Sequence, residues 1–254
     1  GGWGARSLFE MPSKTPKRMS STGQRADART RQLIVTIDGP AGSGKSTAAK
    51  LLAKALGLTY LDTGATYRAL AYAAIQADVV ITDVKRLVHL AHRLPLRLLA
   101  EPDGALRVEL GRTDITKAIR TEEISEAAAY ISQYPGVRAA MVRRQRGLAD
   151  EHGVVVEGRD TGSVVFPEAR YKFFLDALPA VRAKRRQLEM ARMYGSKPPL
   201  RQLKEQLHFR DGLDRRRRVG ALVKPKGAVT IETSHRTAHQ VVQAMRRHMN
   251  RHRS

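Results

Sequence analysis

The run Gly39-Pro40-Ala41-Gly42-Ser43-Gly44-Lys45-Ser46 fits the pattern G-x-x-x-x-G-K-[ST] with nothing missing. Glycines at these spacings let backbone N–H groups converge on phosphate oxygens without a Cβ in the way. A lysine in this place reaches the β- and γ-phosphates of a nucleoside triphosphate, and the hydroxyl of Ser46 suits Mg²⁺. The helix expected to follow aims its positive end at the same anion. Gly39 to Ser46, with Thr47, is therefore the candidate triphosphate-binding segment. The bland alternative is a glycine-rich turn without function; an apolar strand before the run and a helical stretch after it argue against that.

Three further clusters can handle anions. Asp62-Thr63-Gly64-Ala65-Thr66-Tyr67-Arg68 opens a helix, with Thr63 expected as its N-cap and Arg68 beside the open N–H groups. Glu157-Gly158-Arg159-Asp160 follows an apolar strand. Ligands of parallel sheets bind beyond the carboxyl ends of strands, so both segments should border one crevice. Arg210, Asp214 and Arg217 stand at i, i+4 and i+7, one face of a helix, where two cations and a carboxylate can clamp phosphates and a ribose hydroxyl. Arg182 and Arg186 are four apart on an earlier helix, and Tyr194-Gly195-Ser196-Lys197-Pro198-Pro199 joins the two helices. That pair, about 180–217, reads as a mobile lid. Spacing alone leaves a capped turn with a solvated arginine, or a solvated basic hairpin, equally open.

Composition narrows the chemistry. There is no cysteine, so disulfides and thiol catalysis are excluded. His89 with His92, and His235 with His239, lack a third ligand at metal spacing and read as solvated helix faces. The formal charge of +22 implies acidic partners: nucleotides, nucleic acid or an anionic surface. Much of the excess follows Arg182, including Arg215-Arg216-Arg217-Arg218. No apolar run reaches the length of a membrane span.

The elements that position these clusters follow from pattern. Residues 1–30 show no helical or strand period and read as a disordered basic tail; their Arg- and Ser-rich composition weakly resembles a transit peptide but lacks its amphipathic helix. Residues 31–254 form the expected domain. Strands are expected at Leu33–Ile37, Leu58–Leu61, Gly153–Val156, Tyr171–Leu175 and Ala228–Ile231, with a helix over Lys45–Leu56 and a closing amphipathic helix over Ala238–Met249. Alternating strands and helices predict an α/β fold with a doubly wound parallel five-stranded sheet. Leu96–Leu99, the turn Pro102-Asp103-Gly104 and Ala105–Leu110 predict a hairpin in a lobe inserted over about 63–152.

As an ordered set these stretches resemble bacterial cytidylate kinases over nearly all of Leu33–Met249. The carrying segments are IDGPAGSGKST, LDTGATYR, IRTEEIS, YPGVRAAMVRRQR, EGRDTGSVVFPEA, FFLDA and RDGLDRRRR. The resemblance implies a P-loop core, an inserted monophosphate-binding lobe and a helical lid. It implies transfer of the γ-phosphate of ATP to CMP or dCMP with Mg²⁺, by a cytoplasmic monomer with no membrane or specific nucleic-acid partner. By similarity, Arg68, Arg159 and Arg217 hold the acceptor phosphate, with Thr63 beside them, and Arg210 bridges donor and acceptor. Arg138 and Asp160 read cytosine, and Asp214 meets the ribose. Lys45, Arg185, Arg210 and Arg217 neutralise charge during transfer, and Ser46 carries the metal. The chain departs from the family at Ala129, where serine is usual; Ser132, one turn on, is not expected to replace it. Ala221 stands for a usual proline, and Glu232-Thr233 for Asp-Ser or Asp-Thr. The competing readings are a P-loop kinase of another monophosphate and a nucleic-acid-binding P-loop ATPase.

Overall fold

The computed structural model describes residues 33–101, 106–150 and 153–252. The expected tail over 1–30 and the turn Pro102-Asp103-Gly104 lie outside the described residues.

The core strands are β1 (Ile34–Asp38), β2 (Thr59–Asp62), β6 (Val154–Gly158), β7 (Tyr171–Asp176) and β8 (Val229–Glu232). They form one sheet in the order β2-β6-β1-β7-β8, and every pair is parallel. All five strands fall where the apolar runs placed them. Alternation along β6 shows why the runs are continuous. Val155 packs into a core with Val35, Ile37, Leu52 and Phe173, while Val154 and Val156 enter a second cluster with Leu61, Val165 and Phe166. A strand covered by helices on both faces needs apolar side chains at every position.

Helix α1 (Lys45–Leu56) returns the chain from β1 to β2 and ends on left-handed Gly57. Helix α8 (Ala238–Arg251) packs beside it; Thr237 and Gln240 form a capping box at its start. Val241, Val242, Met245 and Met249 make its buried stripe. Each such side chain contributes up to roughly 1.5–3 kcal/mol. Met245, fully buried, is the single position whose truncation would cost most, about 2–5 kcal/mol.

Between β2 and β6 lie α2 (Thr63–Gln76), α3 (Val84–Arg93), β3 (Leu96–Ala100), β4 (Leu106–Leu110), β5 (Thr113–Asp114), α4 (Glu122–Ile131) and α5 (Pro135–Asp150). The expected hairpin is β3 with β4, and β5 adds a third antiparallel strand. After β7 come α6 (Pro179–Tyr194) and α7 (Leu200–Arg216), joined across left-handed Gly195. They pack through Ala183, Met190, Leu203 and Leu207.

Candidate active site

The glycine-rich run joins β1 to α1. Gly44, left-handed at φ 89, is the N-cap of α1 and supplies no side chain to the first-turn N–H groups, which leaves them for an anion. Gly42 has φ 75, and a Cβ there would meet Arg182 at 3.0 Å, so only glycine fits the loop at this approach. Lys45 is 5% exposed; its Nζ donates to the Pro40 carbonyl at 2.7 Å and lies 3.5 Å from Ser43 Oγ. Burial, helped by Arg159, pulls the Lys45 ammonium down to about 7 against the attraction of Glu157 and Asp38. A bound phosphate would supply the missing negative charge.

Ser46 Oγ donates to Glu157 Oε2 at 2.9 Å, and the Tyr60 hydroxyl donates to Glu157 Oε1. Burial pushes Glu157 above the usual carboxylate range and Asp62 adds to this, while Lys45 opposes it. Glu157 was not among the expected site residues. Its signal was an acid at the carboxyl end of a wholly apolar strand, opposite Asp62 in the β2–β6 register. A hydroxyl and a carboxylate are the hard oxygen donors that Mg²⁺ takes, so the set fits that ion.

The segment that opens α2 differs from expectation at its cap. Asp62, not Thr63, caps α2: its Oδ1 accepts from Ala65 N–H at 3.0 Å, and its Oδ2 accepts from Arg68 at 2.8 Å. Thr63 is already helical, and its hydroxyl donates to the Glu157 carbonyl at 2.7 Å, tying α2 to β6. A carboxylate at the preceding position outcompetes the threonine because it can take the N–H and the guanidinium together.

Arg159 and α7 meet at Asp214. Asp214 is 1% exposed; Oδ2 accepts from Arg159 Nε at 2.7 Å and Oδ1 from Arg217. Burial raises the Asp214 carboxyl, but Arg159, Arg217 and Arg210 outweigh it and hold it below the ordinary range. Arg217 is not on the helix: α7 ends at Arg216, and Arg217 has extended backbone, φ −57 and ψ 135. The chain must leave the helix to reach left-handed Gly220, and Leu222 N–H then returns to the Asp214 carbonyl at 2.8 Å. Arg217 still reaches Asp214, so the expected trio is together. Arg210 differs from its neighbours. Among the described residues it makes no ion pair, and its Nε is buried without a partner. Burial, then repulsion from Arg159, lowers it to about 10.

Arg138 is 1% exposed, paired with Asp160, and 5.6 Å from the Tyr67 ring centre. Among the described residues the buried Tyr67 hydroxyl has no partner, and burial pushes it up to about 12, which keeps it a neutral donor. The turn carrying Arg159 and Asp160 is clamped from below. Asp38, at the end of β1, accepts from Thr161 N–H and Gly162 N–H, each at 2.7 Å.

One cavity of about 470 Å³ is lined by Ala41, Gly42, Lys45, Ser46, Thr63, Arg68, Arg159, Asp160, Arg210, Asp214 and Arg217, with Glu157, Tyr67, Ala129 and Ser132. Arg138 lies behind that wall, not in it. Gly39, Pro40, Ser43 and Gly44 shape the loop without lining the cavity, and Thr47, in the first turn of α1, is also outside the lining. Arg185 is also outside the lining: it docks against the loop's Gly42 carbonyl and Thr233, while Arg186 faces the cavity instead. Among the described residues no group of three or more His, Asp or Glu side chains is placed to hold a metal, and no helix is long and apolar enough to cross a membrane.

A parallel sheet with a P-loop at the end of β1, and an arginine cluster facing it across one cavity, defines a P-loop phosphotransferase. The cytidylate kinase profile matches residues 35–251, and the chain belongs to the cytidylate kinase family. It is 42% identical over 212 residues to the cytidylate kinase of Anoxybacillus flavithermus, covering 84% of this chain and 93% of that one. It is 43% identical over 209 residues to that of a Geobacillus species, covering 82% and 92%. It is 42% identical over 204 residues to that of Bacillus subtilis, covering 80% and 90%.

Proposed function

We propose that the protein transfers the γ-phosphate of ATP to CMP or dCMP, giving CDP or dCDP, in pyrimidine nucleotide metabolism. The observation that carries this is Arg210, a half-buried cation whose Nε is enclosed and which makes no ion pair among the described residues, in the same cavity as the P-loop lysine and the Arg159–Asp214–Arg217 cluster. Phosphoryl transfer needs in-line positioning and neutralisation of spread negative charge. The acceptor is itself a phosphate oxyanion, so the site needs no general base.

In this reading the first-turn N–H groups of α1 and Lys45 hold the donor phosphates. Arg68, Arg159 and Arg217 receive the acceptor phosphate, and Arg210 spans both. Asp160 accepts from the exocyclic amine of cytosine, which uracil lacks, with Arg138 orienting it. Asp214 keeps lone pairs for a ribose hydroxyl. Mg²⁺ arriving with ATP adds charge neutralisation; Ser46 and Glu157 are the residues that would hold it. The segment over 63–152 is the monophosphate lobe, and α6 with α7, within 180–217, is the lid that excludes water. The working form is a monomer in the cytoplasm, where ATP and nucleoside monophosphates are both available; sedimentation and cell fractionation test these two points.

A coupled assay with CMP, dCMP, UMP and AMP tests the activity. Fastest turnover of CMP or dCMP supports it. Preference for another monophosphate makes the protein a different P-loop kinase, and ATP hydrolysis stimulated only by RNA makes it a nucleic-acid ATPase. Asp160→Ala should erode the CMP to UMP ratio of kcat/KM more than it raises KM for ATP. An unchanged ratio removes Asp160 from base recognition.

A further inference from the structure

Three successive carbonyls of the P-loop are covered by side chains from outside it. Arg182 Nη1 donates to the Ala41 carbonyl at 2.9 Å, and Arg185 Nη1 lies 3.4 Å from that of Gly42. The Thr233 hydroxyl donates to the Ser43 carbonyl at 2.9 Å. Thr233 directly follows β8 and is 2% exposed. Its own N–H donates to the Asp176 carbonyl at the end of β7, at 2.9 Å. Arg185 closes the arrangement: Nη1 donates to Thr233 Oγ1 at 3.0 Å and Nη2 to the Thr233 carbonyl at 2.7 Å.

A threonine hydroxyl has one proton and two lone pairs, so it accepts from Arg185 while its proton is shared between the Ser43 carbonyl at 2.9 Å, the shorter contact, and the Asp176 carbonyl at 3.1 Å. The peptide that carries the Ser43 carbonyl also carries the Gly44 N–H. That unit is planar and trans, so its two polar groups point in opposite directions. A bond that pins the carbonyl from outside aims the N–H inward, at the start of α1. We infer that Thr233 is a positioning residue for the phosphoryl donor: it holds the Ser43–Gly44 peptide and Arg185 as one unit, linking the root of α6 to the phosphate-binding loop. This rests on the reading of the P-loop as the ATP site.

The hydroxyl is removed at constant shape in Thr233→Val, which keeps the backbone carbonyl that Arg185 also uses. KM for ATP should rise roughly five- to tenfold, with KM for CMP within about twofold and Thr233→Ser close to the parent. In an Arg185→Ala background the same substitution should cost clearly less than it does alone, since the two act through one arrangement. If the valine variant melts below assay temperature, Thr233→Ala and Thr233→Ser, compared by calorimetric ATP titration, replace it. Equal rises in both KM values, a lowered melting temperature with unchanged ATP affinity, or full additivity with Arg185→Ala would overturn the inference. A parent protein that fails to bind ATP would instead sink the P-loop reading; a parent that binds ATP as tightly as Thr233→Val sinks only the role of Thr233.

Discussion

The Nε of Arg159 donates to Oδ2 of Asp214 at 2.7 Å, joining the turn after β6 to the end of α7 across 55 residues of sequence. Helix α7, the proposed lid, is thus attached to the floor of the cavity by charges that the proposed mechanism also assigns to the acceptor.

Removing that carboxylate should cost stability before it costs chemistry. In Asp214→Ala, Arg159 and Arg217 lose the counter-charge that both contact. Breaking a buried pair costs about 3–5 kcal/mol; Arg159 keeps some solvent, so the lower end applies. For a domain of this size that is roughly 6–12 °C in Tm. Added CMP or inorganic phosphate should recover part of it by supplying a new anion. A melting temperature within about 2 °C of the parent would show that the pair is not holding α7 in place.

Lys45 makes the proposed donor site sensitive to pH. Its ammonium is pulled down to about 7 by burial, whereas in the unfolded chain it stays near 10.5. Between those values the unfolded chain binds a proton that the native state does not. The contribution of Lys45 to stability therefore grows as pH rises from about 7 toward 10.5, and below 7 the charged lysine is a net cost to the fold. The phosphates of ATP favour the charged form, so binding at pH 8 should take up a proton. Calorimetry of ATP binding in buffers of different ionisation enthalpy measures this. Lys45→Met should abolish the uptake and nearly all turnover; equal uptake in parent and variant would place the proton elsewhere.

Gly220 supports the pair expected to read the base. It is left-handed at φ 69, and a Cβ there would overlap the Arg138 guanidinium and the Asp160 carboxylate. Gly220→Ala adds about 1–2 kcal/mol of backbone strain and displaces that pair. We expect kcat/KM for CMP to fall at least about tenfold. KM for ATP should stay within about twofold, because the P-loop is not touched. Equal losses on both substrates would mean a general fault in the fold rather than a local one.

What could be read from the chain was whatever depends on local pattern. The five strands, α1, the hairpin of β3 and β4, and the helix pair were visible because apolar periodicity and glycine spacing are local properties. Partner choice was not visible. Asp62 takes the cap of α2 from Thr63 because Arg68 sits within reach, a competition decided by geometry. Arg185 docks on the outer side of the P-loop because Thr233, 48 residues later, offers it two oxygens. Arg138 lies behind the cavity wall because Asp160, Tyr67 and Gly220 close over it. Glu157 escaped because its role depends on Tyr60 and Ser46, each about 100 residues away.

Ala129 gives the sharpest test of base recognition. It is on α4, 8% exposed, and lines the cavity where relatives are expected to carry serine. Its carbonyl already accepts from the Ser132 hydroxyl at 2.8 Å and from Gln133 Nε2 at 3.2 Å. The proton of Ser132 is therefore committed to the backbone, and that hydroxyl can offer a ligand only lone pairs. A hydroxyl introduced at 129 can donate as well as accept toward the base, whereas Ser132 can only accept. One neutral hydrogen bond is worth about 0.5–1.5 kcal/mol, so Ala129→Ser should lower KM for CMP several-fold to about tenfold. KM for ATP should change less, because the proposed function puts α4 on the acceptor side. The parent should still prefer CMP to UMP through Asp160, but less sharply than the variant. The added oxygen is small, so overpacking is a modest cost and a thermal melt detects it. An unchanged or higher KM for CMP in a variant that melts like the parent would show that the base never approaches this turn of α4.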